Sequence, residues 1–365
     1  MRIFFKHTKL NVFQKIYHLY TSDLTSDEFE KLVTKDIPGM YRFYARDMKK
    51  PDEDHDKFNR WLYFIRNFVV ALLKKLSPLR RLLFSAAVLL FIIGFVFENP
   101  YWFNYSFVIL VLLVVLEVAD KIVAKDEISI AREVQNSMIP KTAPSYEGYD
   151  IDCYCETAND VGGDFIDFIF RDNKLLISVG DISGKGMGAA LHMVHVRAII
   201  RYVSDLISEP GEILKKLNRD ILKNFKKGLF LTVVLAEIEN EKIQICRGGH
   251  PPVLYFNKSE NKCEELKPNG SALGMINEAM FDKVIDTLEV TPKKGDVIFI
   301  YTDGLFEAMN SQKEEYGLWK VKEVLSANAY KSSSDIKKIL VDSVSNFRGT
   351  TEVNDDFTFA VIKKN

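Results

Sequence analysis

Histidine and cysteine are scarce in this chain, and neither is spaced to hold a metal. The six histidines are scattered without an HxxxH pair, and the four cysteines (Cys153, Cys155, Cys246 and Cys263) match neither a zinc knuckle nor a disulfide framework. A reducing, cytosolic compartment accounts for such thiols. Strong net charge is also missing. The formal value of −1 leaves no electrostatic footprint for nucleic acid. The N-terminus, Met1-Arg2-Ile3-Phe4-Phe5-Lys6, lacks the long apolar run and small-residue cleavage site of a signal peptide. There is no Walker loop either. Gly180 and Gly184 enclose three residues rather than four, and Gly186 follows Lys185 where Ser or Thr is required. Kinase and NTPase readings fall away.

What the chain has instead is aspartate set beside glycine or at the ends of apolar runs. The acids occur in Val161-Gly162-Gly163-Asp164-Phe165, Gly180-Asp181-Ile182-Ser183-Gly184-Lys185-Gly186, Tyr301-Thr302-Asp303-Gly304 and Asn354-Asp355-Asp356-Phe357-Thr358. Carboxylate and carbonyl oxygens without His or Cys nearby suit the hard cations Mg²⁺ or Mn²⁺. Two such ions held about 3.5–4 Å apart ready a hydroxide and clamp a phosphoryl group, so no side-chain nucleophile is needed. Any one Asp-Gly is ordinarily a turn, but four in one region without other ligands point to metal-dependent phosphatase chemistry. Lys185 is placed either to neutralise phosphate charge or to be a solvated turn residue. His250, in Gly249-His250-Pro251-Pro252, reads as a structural turn histidine hydrogen-bonded to backbone, with a catalytic proton role as the alternative.

Length and composition suggest two or three folded domains. Charge is uneven: residues 1–81 carry 17 Lys/Arg against 10 Asp/Glu. Leu82–Phe97 and Asn99–Leu116 are uncharged and apolar, separated by Glu98, and lie near the short limit for spanning a bilayer, about 20 residues. Lys74, Lys75, Arg80 and Arg81 precede the first run, and Tyr101 and Trp102 sit at the turn, which suits a cytoplasmic start and a membrane interface. The expectation is two transmembrane helices within residues 78–118, in the inner (cytoplasmic) membrane with both termini cytoplasmic. A helical hairpin buried in a soluble core is the alternative. Residues 1–77 read as an N-terminal cytoplasmic helical region of unassigned role, with loops at Pro38-Gly39 and around Pro51–Asp56. Arg60–Leu76 suits either the membrane surface or ordinary helix packing.

Residues 119–140 form a linker. No Pro or Gly interrupts Glu117–Ile139, and Ala124, Ile128, Ala131 and Met138, with Gln135 at the intervening position, make a short heptad. That predicts a parallel coiled coil between two copies, a homodimer through the linker helix. The competing reading is one amphipathic helix packed on its own domain.

In residues 141–365, strands are predicted at Tyr149–Glu156, Asp164–Phe170, Lys174–Gly180, Phe230–Glu237, Lys242–Cys246, Val253–Phe256, Lys283–Glu289, Val297–Tyr301 and Phe357–Ile362. Helices are predicted at Gly188–Ile207, Gly211–Phe225, Leu318–Ala327 and Ser334–Asn346. The strands are mostly non-alternating, which implies an α/β sandwich of packed sheets covered by helices. Asp181 is expected just after one strand, Asp303 just after another, and Asp355 just before the last.

The series Ala131-Arg132-Glu133-Val134-Gln135 to Pro140, Asp160–Phe165, Gly180–Met187, Gly249–Pro252, Leu273-Gly274, Gly295-Asp296, Tyr301–Gly304 and Asp355–Thr358 resembles the serine phosphatases of the sporulation-stage-II-protein-E type, a bacterial branch of the PPM superfamily. The resemblance covers roughly residues 131–363 and leaves 1–120 aside. It implies a PPM-type β-sandwich flanked by helices, with two Mn²⁺ or Mg²⁺ ions in a cleft at one end. Asp181 would bridge both ions and Ile182 would offer its carbonyl. Asp303 and Asp355 would complete the second site, Asp164 would be a ligand directly or through water, and Asp356 would support the site. The implied substrate is phosphoserine or phosphothreonine on a regulatory protein, an anti-sigma-factor antagonist. The arginine that contacts phosphate in eukaryotic relatives has no counterpart here. The rival reading is a catalytically inactive membrane signalling module that uses the domain to bind a partner.

Overall fold

A computed structural model describes residues 57–365, and the expectations for residues 1–56 lie outside the described residues. The chain divides into two compact units, with the boundary between Lys121 and Ile122.

The described part of the first unit is helical. Helix α1 covers Lys57–Lys75, α2 covers Pro78–Val96, and α3 begins at Pro100 and runs to Met138. Among the described residues α2 is the one helix long and apolar enough to cross a membrane. The second apolar run forms the first part of the 39-residue α3 and continues into the linker, because nothing after Pro100 breaks the backbone ladder. Small residues bring α2 and the start of α3 together. Ser106 Oγ donates to the Ala87 carbonyl at 2.8 Å, and a Cβ on Gly94 would lie 3.2 Å from Trp102 Cβ. Larger residues, among them Leu82, Leu89, Phe95, Phe107, Val108 and Val115, face outward. Arg80 ties the two helices with ion pairs to Asp120 (2.7 Å) and Glu117 (3.1 Å).

The second unit is built from two antiparallel sheets between two helical layers. One sheet has the order β1 (Tyr149–Glu156), β10 (Phe357–Lys364), β9 (Val297–Tyr301), β6 (Val253–Asn257) and β7 (Lys262–Leu266). The other has the order β2 (Phe165–Arg171), β3 (Lys174–Ile182), β4 (Leu231–Glu239), β5 (Lys242–Gly248) and β8 (Thr287–Val290). Helices α4 (Met187–Ser204) and α5 (Pro210–Asn224) pack on the second sheet, with Met193, Val196, Leu214 and Leu217 buried against Leu176, Val233 and Leu235. Helices α7 (Leu318–Asn328) and α8 (Ser333–Arg348) cover the first sheet, with Leu325 and Leu340 against Phe299 and Phe359. Between the sheets lie Ile166, Ile177, Val179, Val234, Ile298, Ile300 and Ile362. Central strands are therefore buried on both faces, which explains why they show continuous apolar runs rather than alternation.

Two elements differ from expectation. The segment predicted as one strand over Lys283–Glu289 is the end of a short helix, α6 (Glu278–Val284), followed by β8. Asn277 caps that helix by accepting from the Met280 N–H at 3.0 Å, and Phe281 anchors it in the core. Strand β7, Lys-Cys-Glu-Glu-Leu, was not anticipated, because an edge strand pairs on one side and needs no apolar run.

Candidate active site at one end of the sandwich

Four chain segments bring the acids to the same end of the second unit. Asp164 immediately precedes β2, Asp303 opens a single 3₁₀ turn after β9, and Asp355 and Asp356 precede β10. Asp181 is not beyond its strand as expected but inside it: β3 continues to Ile182, with Asp181 paired to Thr232 of β4. Strand backbone on both sides therefore fixes the Asp181 carboxyl.

The loops carrying these acids are locked to one another. Asp356 is buried and accepts from the N–H groups of Ala158 and Gly163, each at 2.8 Å. That is the supporting role expected for it. Asp164 is fully buried and accepts from Thr302 Oγ1 at 2.7 Å, while Thr302 Oγ1 in turn accepts from the Thr358 N–H at 3.0 Å. Glycine is required where the segments touch. A Cβ on Gly162 would lie 2.1 Å from Asp356 Oδ2, and one on Gly163 would lie 2.7 Å from the Ile182 carbonyl oxygen and 3.0 Å from Asp181 Oδ1. Ile182 buries its side chain in the core, and its carbonyl oxygen lies against Gly163.

The electrostatics follow from crowding like charges. Burial, with the charges of Asp303, Asp355 and Asp356 added, pushes the Asp181 carboxyl up to about 8. Burial and the neighbouring Asp181 hold Asp164 well above the usual carboxylate range. Asp303 is raised by burial and then by Asp355. Among the described residues no three Asp, Glu, His or Cys side chains close tightly enough to enclose an ion by themselves. The acids nevertheless share one cleft. Its donors are all hard oxygens, and the mutual repulsion that raises Asp164, Asp181 and Asp303 would be relieved by a cation among them, so the residues fit divalent cations of the Mg²⁺ or Mn²⁺ type.

Several contributors escaped sequence reasoning. Gln135 of α3 is buried and uses both ends of its amide on Gly162: Nε2 donates to the Gly162 carbonyl at 2.8 Å and Oε1 accepts from the Gly162 N–H at 3.1 Å. Thr302 supports Asp164, and Glu307 lies near enough to Asp303 and Asp355 for their charges, after burial, to raise its carboxyl. Only the i+4 spacing of Glu307 from Asp303 hinted at this. Lys185 Nζ donates to Asp355 Oδ2 and to the Asn354 carbonyl, each at 2.9 Å. His250 is buried, with Nδ1 2.9 Å from Thr232 Oγ1 and its carbonyl accepting from Arg247 at 2.6 Å, which is the structural role read from its turn.

Comparison with known proteins gives the same picture. The sequence profile of the family described as stage II sporulation protein E (SpoIIE) matches residues 171–365. The chain is 28% identical over 249 residues to the phosphoserine phosphatase RsbU of Bacillus subtilis, covering 66% of this chain and 70% of that one. Its fold is similar to that of the SiaA-PP2C domain of Pseudomonas aeruginosa, with a TM-score of 0.58 at 18% identity, covering 68% of this chain and 99% of that one. It is also similar to the structure of the RsbU and RsbW domains of Rv1364c from Mycobacterium tuberculosis, with a TM-score of 0.52 at 23% identity and coverage of 62% and 63%.

Proposed function

This chain belongs to the SpoIIE family and is a protein serine/threonine phosphatase, and from that premise we propose that it uses two divalent cations to remove phosphate from a regulatory protein. The observation that carries the reading is the gathering of Asp164, Asp181, Asp303 and Asp355 from four separated segments into one acidic cleft. Asp181, the Ile182 carbonyl, Asp303 and Asp355 would hold Mn²⁺ or Mg²⁺, with Asp164 completing the set directly or through water. Such ions supply an acidified water and positive charge for a phosphoryl oxygen. The protein's own part is positioning. Strand β3 orients Asp181, Thr302 orients Asp164, and the two glycines let the loops close without a Cβ between them.

The similarity to RsbU supports phosphoserine as the substrate, and the family resemblance supports phosphothreonine as well and an anti-sigma-factor antagonist as the protein that carries it. The exposed apolar faces of α2 and early α3 support insertion as a membrane hairpin with both soluble parts cytoplasmic. Pairing of two linker helices would make a homodimer.

The test is hydrolysis of p-nitrophenyl phosphate and of phosphoserine peptides by the full chain in detergent, with Mn²⁺ or Mg²⁺. Cation-dependent turnover that drops at least ~100-fold in both Asp181→Asn and Asp303→Asn is expected, because each removes a charge from the ion site. Partner binding without any turnover would instead establish the inactive signalling module.

A further inference from the structure

Lys185 stands apart from the other cations of the second unit. Arg197 and Arg201 are both paired with the buried Asp167, Arg171 with Glu237, and Arg132 lies 3.6 Å from Asp160. Lys185 alone among these reaches an acid of the cleft, with Nζ 2.9 Å from Asp355 Oδ2. It is also more than half exposed.

The segment that carries it is fastened on either side and loose between. Before it, the Ser183 N–H donates to the Phe230 carbonyl at 2.9 Å and Ser183 Oγ accepts from the Phe230 N–H at 2.8 Å. After it, the Gly186 carbonyl accepts from the Ala190 N–H in the first turn of α4 at 3.1 Å. Gly184 and Gly186 have φ of 105° and 73°, and no atom lies within 4 Å of where a Cβ on Gly186 would be. Lys185 is thus a long, solvent-exposed cationic arm on a fixed base, with the Asp355 carboxylate and the Asn354 carbonyl as its present partners.

An ammonium and a divalent cation compete for the same carboxylate, and the doubly charged ion wins at contact distance because Coulomb attraction scales with charge. An ammonium displaced from Asp355 still lies beside the acids, with the Asn354 carbonyl at 2.9 Å as one partner and its remaining donors free. We propose that Lys185 positions the substrate: it neutralises Asp355 in the cation-free protein, and when divalent cations take Asp355 it turns to a non-bridging oxygen of the phosphoserine or phosphothreonine phosphate. This rests on the phosphatase reading and supplies the phosphate-contacting cation that the sequence otherwise lacks.

The experiment compares the full chain in detergent with Lys185→Ala and Lys185→Arg, using three readouts. One is steady-state hydrolysis of a phosphoserine peptide, another is competitive inhibition by inorganic phosphate, and the third is a Mn²⁺ binding isotherm without substrate. Lys185→Ala should raise KM and weaken phosphate inhibition about ten- to hundred-fold, as expected for loss of a charge-assisted hydrogen bond, with much less change in kcat. Its Mn²⁺ affinity should stay equal or increase, since a competitor for Asp355 has gone. Lys185→Arg should restore most of the phosphate affinity. Weaker Mn²⁺ binding in Lys185→Ala, or unchanged KM and phosphate inhibition, overturns the proposal. Absence of cation-dependent turnover in the wild-type chain would instead refute the phosphatase reading itself, which keeps the two failures distinct.

Discussion

Burial acts in opposite directions on the two kinds of titratable group near the cleft: it raises the Asp164 and Asp181 carboxyls and lowers the His250 imidazole. His250 is enclosed, and burial lowers its pKa from 6.5 to about 3. Below pH 6.5 the unfolded chain therefore takes up a proton that the folded chain refuses. The His250 contribution to stability is lost as pH drops from 6.5 towards 3 and is constant above that window, with a slope approaching about 1.4 kcal/mol per unit. Denaturant melts at pH 7 and pH 5 should show a shallower pH dependence in His250→Gln than in the wild type, whatever the variant's absolute stability. Parallel slopes would remove His250 as the source. The glycines beside Asp164 were legible as turn residues, but their actual role is to admit Asp356 Oδ2 and the Ile182 carbonyl where a methyl group would collide.

Helix α3 is the element that tertiary structure redefines most. Its heptad suggested a face for a second copy, yet Gln135 on that face is buried on Gly162 of the same chain, and Ile128, Ala131 and Met138 are half-buried with it. The competing reading, a helix packed on its own domain, describes these last turns. The linker's exposed apolar residues are Ile122, Val123, Ile130 and Val134, of which the last three have 7-and-4 spacing on another face. If the linker dimerises, Ile130→Glu should shift the full chain in detergent from dimer to monomer in sedimentation, whereas Ala124→Glu should matter less; the reverse order would return the interface to the first heptad. Gln135→Ala addresses the catalytic side of the same helix. It strands the N–H and carbonyl of Gly162, at a cost of about 1–3 kcal/mol per buried group. The expected result is a lower melting temperature of the catalytic unit and at least ten-fold less activity at subsaturating Mn²⁺. Full activity at every Mn²⁺ concentration would show that the amide pair does not support the cleft.

At the level of the whole molecule, the exposed apolar segments of α2 and early α3 set a test of the proposed membrane hairpin. Exposed Leu, Phe and Val along α2 and early α3 are costly in water and favourable in lipid, each contributing about 0.3–0.6 kcal/mol to insertion. A cysteine placed at Glu98, between α2 and α3, should react with a membrane-impermeant thiol reagent added outside intact cells, while one placed at Lys121 should not. Reaction at both positions, or at neither, would contradict a two-span hairpin with cytoplasmic soluble parts. One helix, α2, meets the spanning requirements by length and composition among the described residues, so the labelling pattern decides whether early α3 returns the chain.

Local pattern determined much about this protein without any coordinates. Apolar runs located most strands of the sandwich, and acids without His or Cys partners pointed to hard-cation chemistry, because side-chain type and short-range periodicity are properties of neighbouring residues. Only the folded chain decided which of those residues meet. Thr302 reaches Asp164 across 138 positions, Asp356 reaches Gly163 across 193, and Lys185 reaches Asp355 across 170. Such contacts depend on how two sheets stack and where their end loops close. That information is shared among distant segments and belongs to none of them singly.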